Sequence, residues 1–228
     1  MKLESVPLTK LELDVINELR TDYAGLSVGL LESVDELFCR TRILLAIVVD
    51  NSSAELYTGQ LALMGIIFRT YELLRGGIQQ ISQGNKHVWG ACLRGLIETF
   101  GAAALVTENP DHLLNLIQGS GIGSGKLRNA AYKRLQALKD DIKRLDKIVH
   151  PGSTSLLLGL QVGNEAQRLA VFTVPPLPLS TDELEEAIET LATICRLIHE
   201  EVQALLEAQP EVIKRGGLLY KLCGGETH

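Results

Sequence analysis

The sequence predicts a mainly α protein, an antiparallel helical bundle with one short β-hairpin ahead of its last long helix. Three observations predict it. Apolar residues make up 46% of the 228 but aromatics only 4%, so Leu, Ile, Val and Ala must build the core, and such aliphatic chains with interspersed Glu and Lys favour helices. Two long segments carry apolar residues at alternating three- and four-residue steps, the signature of one buried helix face. A third segment, between Pro151 and Ser180, changes period and then meets Pro175, Pro176 and Pro178, which stop a helix.

The helix starts are signposted. Thr9-x-x-Glu12, Ser52-x-x-Glu55 and Ser180-x-x-Glu183 fit the capping box, in which two side chains satisfy otherwise orphan backbone N–H groups. Asn109-Pro110 fits an N-cap followed by proline at the first helical position. Helices are therefore expected at roughly 9–20, 26–50, 53–83, 86–107, 110–118, 126–149 and 181–208. The third carries Leu61, Met64, Phe68, Tyr71 and Ile78 as its apolar stripe, with Arg75 where another apolar residue should fall. The last repeats the pattern with Leu184, Ile188, Leu191, Cys195, Ile198, Val202 and Leu205. Two such stripes need long partners, which an antiparallel bundle supplies. Between them, Ser155–Val162 and Arg168–Val174 read as strands around a polar Gly-Asn-Glu-Ala-Gln turn. A lone hairpin is marginal in water, so it must pack on the bundle or pair with another chain. The chain divides as a single helical domain, 1–228: an N-terminal arm over 1–25, a helical core over 26–150, a hairpin insertion over 151–179, a final core helix over 180–208 and a tail over 209–228, frayed after Gly224.

Composition excludes several classes. The most apolar run, Ile43–Val49, is too short to span a bilayer and is flanked by Arg40, Arg42 and Asp50. Met-Lys-Leu-Glu-Ser at the start lacks the apolar core of a signal peptide. Cys39, Cys92, Cys195 and Cys223 are widely spaced, as reduced core residues of a cytoplasmic protein would be. No His, Cys or carboxylate group has ligand spacing, so neither a metal nor a cofactor is expected. The net charge of −6 is uneven: Lys126 to Lys147 holds eight basic residues against three acidic, whereas Asp182 to Glu207 holds eight acidic residues and one Arg. The basic helix could face an anionic partner such as RNA through Lys126, Arg128, Lys133, Arg134, Lys143 and Lys147, or it could face the acidic helix of its own chain or of a second copy.

Three stretches invite a functional reading. Gly119-Ser-Gly-Ile-Gly-Ser-Gly-Lys126 suggests a phosphate loop, but Ser120 stands where the first glycine belongs and Leu127 where Ser or Thr should hold magnesium. A helix also precedes it where a strand should, so it reads as an interhelical connection. The helix from Val88 to Val106 is apolar on nearly all sides and has Arg94 and Glu98 as its only charges, one turn apart. They are expected as a buried pair, together with Arg75, because stranding one such charge costs roughly 3–5 kcal/mol. The pair either fixes helix register or lines a small-molecule pocket; a large cavity there would favour the pocket, and a closed ion pair would remove it. Finally, Arg144-Leu-Asp-Lys-Ile-Val-His150-Pro151 should end a helix near His150, because proline disfavours helical geometry in the residue before it. A histidine there suits the negative end of the helix dipole. The same placement lets the imidazole move a proton near neutral pH, with Asp146 to orient it and Arg144 to stabilise a phosphate. Arg144 and His150 would lie about 240° apart on a straight helix, so they converge only where the helix ends or bends.

An apolar helix bearing Arg94-x-x-x-Glu98, a helix ending in Val149-His150-Pro151-Gly-Ser, a hairpin and a final amphipathic helix together resemble a group of bacterial helical proteins related to the HEPN superfamily (higher eukaryotes and prokaryotes nucleotide-binding). The resemblance spans roughly residues 85–207, and Arg144 and His150, with five residues between them, match the superfamily's Arg-to-His motif. It implies a metal-independent endoribonuclease acting as a homodimer, in a toxin–antitoxin or antiphage setting with an antitoxin or defence component as protein partner. His150 would be general base on a ribose 2′-hydroxyl, and Arg144 would stabilise the phosphate. Leu145 follows the arginine where active members commonly carry a polar residue, and many relatives bind without catalysis. The alternative is therefore a non-catalytic helical interaction module, dimeric, binding a protein or nucleic-acid partner.

Overall fold

The computed structural model describes residues 8–22, 25–49, 55–118, 122–136, 160–162, 170–172 and 179–221. These are mainly helical. In chain order they form α1 (Lys10–Asp22), α2 (Val28–Val49), β1 (Glu55–Tyr57), α3 (Thr58–Ser82), α4 (Lys86–Glu108), α5 (His112–Gln118), α6 (Ser124–Arg134), β2 (Leu160–Val162), β3 (Ala170–Phe172), α7 (Thr181–Ala208), a 3-10 turn (Pro210–Lys214) and β4 (Leu218–Lys221). β2 pairs antiparallel with β3, Gln161 opposite Val171. β1 pairs antiparallel with β4, Leu56 opposite Tyr220.

Two capping boxes form as their residue types dictate. The Thr9 N–H donates to Glu12 Oε2 at 2.6 Å and the Glu12 N–H to Thr9 Oγ1 at 3.4 Å. At α7 the Ser180 N–H donates to Glu183 Oε2 at 3.0 Å and the Glu183 N–H to Ser180 Oγ at 3.3 Å. The box expected at Ser52, a residue outside the described ones, does not start α3. Glu55 lies in β1, and the helix begins after Tyr57, whose N–H donates to Gln60 Oε1 at 3.3 Å. The reason is non-local: β1 is held by β4, which no pattern near residue 52 records. Gln60 also ties two helices together, since its buried Nε2 donates to the Val48 and Val49 carbonyls at the end of α2.

α4 is the hub, packing against α3, α6 and α7, while α3 and α7 also pack on each other and on α2. Small residues set these approaches. A Cβ at Gly101 would collide with the Leu127 carbonyl of α6, and one at Gly77 of α3 would lie 2.8 Å from Leu191 Cδ1 of α7. α4 is long and apolar enough to cross a membrane, but 72% of its apolar window is buried against the rest of the protein, as the core helix of a bundle would be.

All seven α7 stripe residues are buried, none more than 2% exposed. The α3 stripe is a correction. Leu61 and Phe68 are exposed, at 43% and 56%, whereas Ile78 is buried as its spacing places it and Met64 and Tyr71 pack half-buried on the core; the rest of the buried face runs through Leu63, Ile67, Thr70, Leu74 and Ile81. Helix α3 is apolar on more than one side, so periodicity alone did not choose the face. The single helix expected over 126–149 is also corrected: α6 ends at Arg134, and Leu135 is extended with φ −139° and ψ 90°. The first and last segments are built into the same body. Val15, Ile16 and Leu19 of α1 and Val212 of the 3-10 turn are core residues. Glu12 is wholly buried, and its carboxylate takes the Arg42 guanidinium of α2.

Candidate functional site

Arg94 and Glu98 project from one face of α4 because four residues bring a helix just past one full turn. Arg94 Nε donates to Glu98 Oε1 at 3.3 Å, with the side chains 21% and 17% exposed. The pair is therefore closed. Arg75 does not join it: its Nη2 donates to Glu72 Oε2 of its own helix at 3.4 Å. Among the described residues, Arg75, Arg94 and Glu98 thus do not gather around one pocket.

The fold builds a groove one turn away, with Glu98 on its wall and a volume of about 480 Å³. Its sides come from α3, α4, α5 and α6, and its apolar lining is aliphatic, with Leu61, Ile66, Leu116, Ile117 and Leu127. Gly65 of α3 leaves it open, since a Cβ there would meet nothing within 4 Å. Arg69 and Thr99 supply the polar edge. Thr99 Oγ1, 3% exposed with its residue, donates to the Gly95 carbonyl at 2.7 Å and accepts from Arg69 Nε at 3.2 Å. A buried hydroxyl thus holds the Nε of an exposed guanidinium, and among the described residues its two terminal nitrogens, further donors, have no acceptor. Ser124, the first residue of α6, lines the same groove. The N-cap of that helix, Gly123, offers its first N–H groups no side-chain acceptor.

Arg69, Thr99 and Ser124 were not singled out from the sequence. The α3 stripe as read placed Arg69 off the working face, and a groove formed by four elements leaves no local spacing to find. The signal that was present is Thr99 itself, one residue after Glu98 on a helix otherwise apolar or small.

The basic helix divides. Lys126 and Lys133 are exposed and Arg128 is half-buried. Arg134 pairs with Glu201 of the acidic α7, Nε to Oε1 at 3.3 Å, so one of its cations faces the chain's own acidic helix. Beside that pair, Phe100, Leu197, Glu200 and Leu135 border a second cavity of about 400 Å³. Lys143, Arg144, Asp146, Lys147 and His150 lie outside the described residues.

His199 is a buried polar residue that periodicity hides, because it falls inside the α7 core face. It is 1% exposed, and its Nε2 lies 3.0 Å from Thr41 Oγ1 of α2. That hydroxyl already donates to the Leu37 carbonyl at 2.9 Å, so it accepts from the ring, which assigns the proton to Nε2. Burial, with the nearby Arg40 charge, lowers the His199 pKa to about 4, and the imidazole is neutral at physiological pH. Among the described residues no group of three His, Cys, Asp or Glu side chains is gathered to hold a metal. Cys195 is buried, which pushes its thiol pKa up and keeps it from acting as a thiolate.

No protein-family model, curated protein or solved structure matches this chain.

Proposed function

We propose that the protein is a non-catalytic helical binding module whose site is the groove between α3, α4, α5 and α6. One observation carries this reading: a cavity of about 480 Å³ with aliphatic walls and one fixed polar edge, within the size and character of small-ligand sites. The finer architecture belongs to the same proposal. We read the helices as an antiparallel bundle and β2–β3 as a hairpin before α7, supported by the mutual packing of α3, α4 and α7 and by the strand pairing. A neutral solvatochromic dye, Nile red, tests the groove. Wild type is expected to enhance its fluorescence, and Gly65→Leu, which places a side chain into open space, is expected to abolish the enhancement at unchanged melting temperature. Equal enhancement by both proteins would remove the groove as the site.

A second reading is favoured by the exposed Lys126 and Lys133 of α6, which precede Arg144 and His150 in the sequence. Under it the chain is a cytoplasmic, homodimeric, metal-independent ribonuclease with a toxin or antiphage role. Total RNA and transfer RNA incubated with the protein in EDTA should then be cut by wild type and spared by His150→Ala. Absence of cleavage by both leaves the binding module.

A further inference from the structure

The charges around the groove do not cancel. Glu98 is matched by Arg94. Arg69 has, among the described residues, only its Nε bond to Thr99, so its terminal guanidinium fork is open. The uncapped start of α6 adds N–H groups and the positive end of its helix dipole on the same groove. Among the described residues the walls contribute no aromatic ring on which a base or sugar could stack, and the apolar lining is a run of aliphatic side chains from four elements.

We infer that the groove takes an amphipathic monoanion, an aliphatic chain ending in a carboxylate, with the carboxylate on Arg69 and the chain along Leu61, Leu116 and Ile117. The inference rests on the binding-groove reading above and specifies its ligand. An end-on guanidinium presents two parallel N–H donors that match a carboxylate. Thr99 is a positioning residue: by holding Nε from a buried site, it limits the rotamer freedom that an exposed arginine would otherwise lose on binding. With Glu98 matched by Arg94, Arg69 is the one unmatched charge among the described lining residues, which favours one carboxylate over a doubly charged phosphate.

Displacement of Nile red by decanoate, decanol and decylamine tests this at constant ionic strength. Decanoate is expected to bind at least tenfold more tightly than either of the others. Arg69→Gln should bring decanoate to the level of decanol, each compared with the variant's own Nile red affinity, while melting temperature stays as in wild type. Gly65→Leu, which gives no Nile red signal to displace, should bind none of the three when binding is followed by calorimetry. Equal affinities for the three amphiphiles, or a decanoate preference that survives Arg69→Gln, would overturn the inference and leave the groove reading intact. Tighter binding of decylamine would overturn it and assign recognition to Glu98. Failure of wild type to bind Nile red or any amphiphile would remove groove and ligand together. Binding of an acidic amphipathic peptide without decanoate would also overturn it, in favour of a protein partner.

Discussion

Helices α3 and α7 carry apolar stripes of similar length, yet only the α7 stripe is buried throughout, while the α3 stripe leaves Leu61 and Phe68 exposed. In α7 the stripe from Leu184 to Leu205 is buried throughout, because the opposite side is filled with Asp182, Glu185, Glu186, Glu189, Glu200 and Glu207 and only one face can turn inward. Across most of its length α3 has few charges to exclude a face. Leu61 and Phe68 line up as well as Leu63, Ile67 and Leu74 do, and tertiary packing on α4 and α7 selects the second set. An apolar stripe locates a core only when the remaining faces are expensive to bury.

The sharpest way to break the comparison is to truncate one residue from each helix. Leu191→Ala in α7 is expected to cost about 2–5 kcal/mol, as fully buried leucines do, whereas Phe68→Ala in α3 should cost well under that. Urea unfolding of the two variants measures the gap, and equal losses would mean that Phe68 is covered in the functional state. His199 gives the next effect. The imidazole titrates near 6.5 when unfolded and near 4 in the fold, so between those values the unfolded chain holds the additional proton. Stability must therefore fall as pH drops through that window, by about 3 kcal/mol once both values are passed. Unfolding at several pH values, beside His199→Gln, isolates this part from the carboxylates, and the variant should show a shallower acid loss. Gly77→Ala probes where the two helices touch. Its new Cβ would press on Leu191, costing about 1–3 kcal/mol as overpacking does. In a Leu191→Ala background that cost should shrink, and additive losses in a double-mutant cycle would refute the contact. The smallest expected effect is Lys133→Ala, an exposed change worth less than about 0.5 kcal/mol to stability, which sharpens the reading of α6 because only RNA binding should notice it.

What was legible in the sequence follows from how local the physics is. The boxes at Thr9 and Ser180, the buried face of α7 and the Arg94–Glu98 pair each rest on residues within one or two turns, and each is present as spaced. The Ser52 box has equally good local chemistry but loses to a strand pairing whose other half begins at Leu218. The end of α6 at Leu135 follows good helix formers, and nothing in that sequence commands a stop there. The groove was legible only in part. Glu98 announced itself as a charge in an apolar helix, while Arg69 became a site residue only when α3, α4, α5 and α6 met around it.

The β1–β4 pairing joins segments more than 150 residues apart, and around it the backbone is crowded. Gly59 must be a glycine because the carbonyls of the 3-10 turn come too close for any Cβ, and Gly216 takes φ +81° where it passes Thr58 and Leu114. Such a clasp closes only after the helices it spans have assembled, since loop closure over that distance is unfavourable until other contacts hold the ends together. It should equally be the first part to let go, breathing open while α4 stays intact. The clasp thus acts as a latch on an already formed body, and residues 218–221 report on completed folding without directing it.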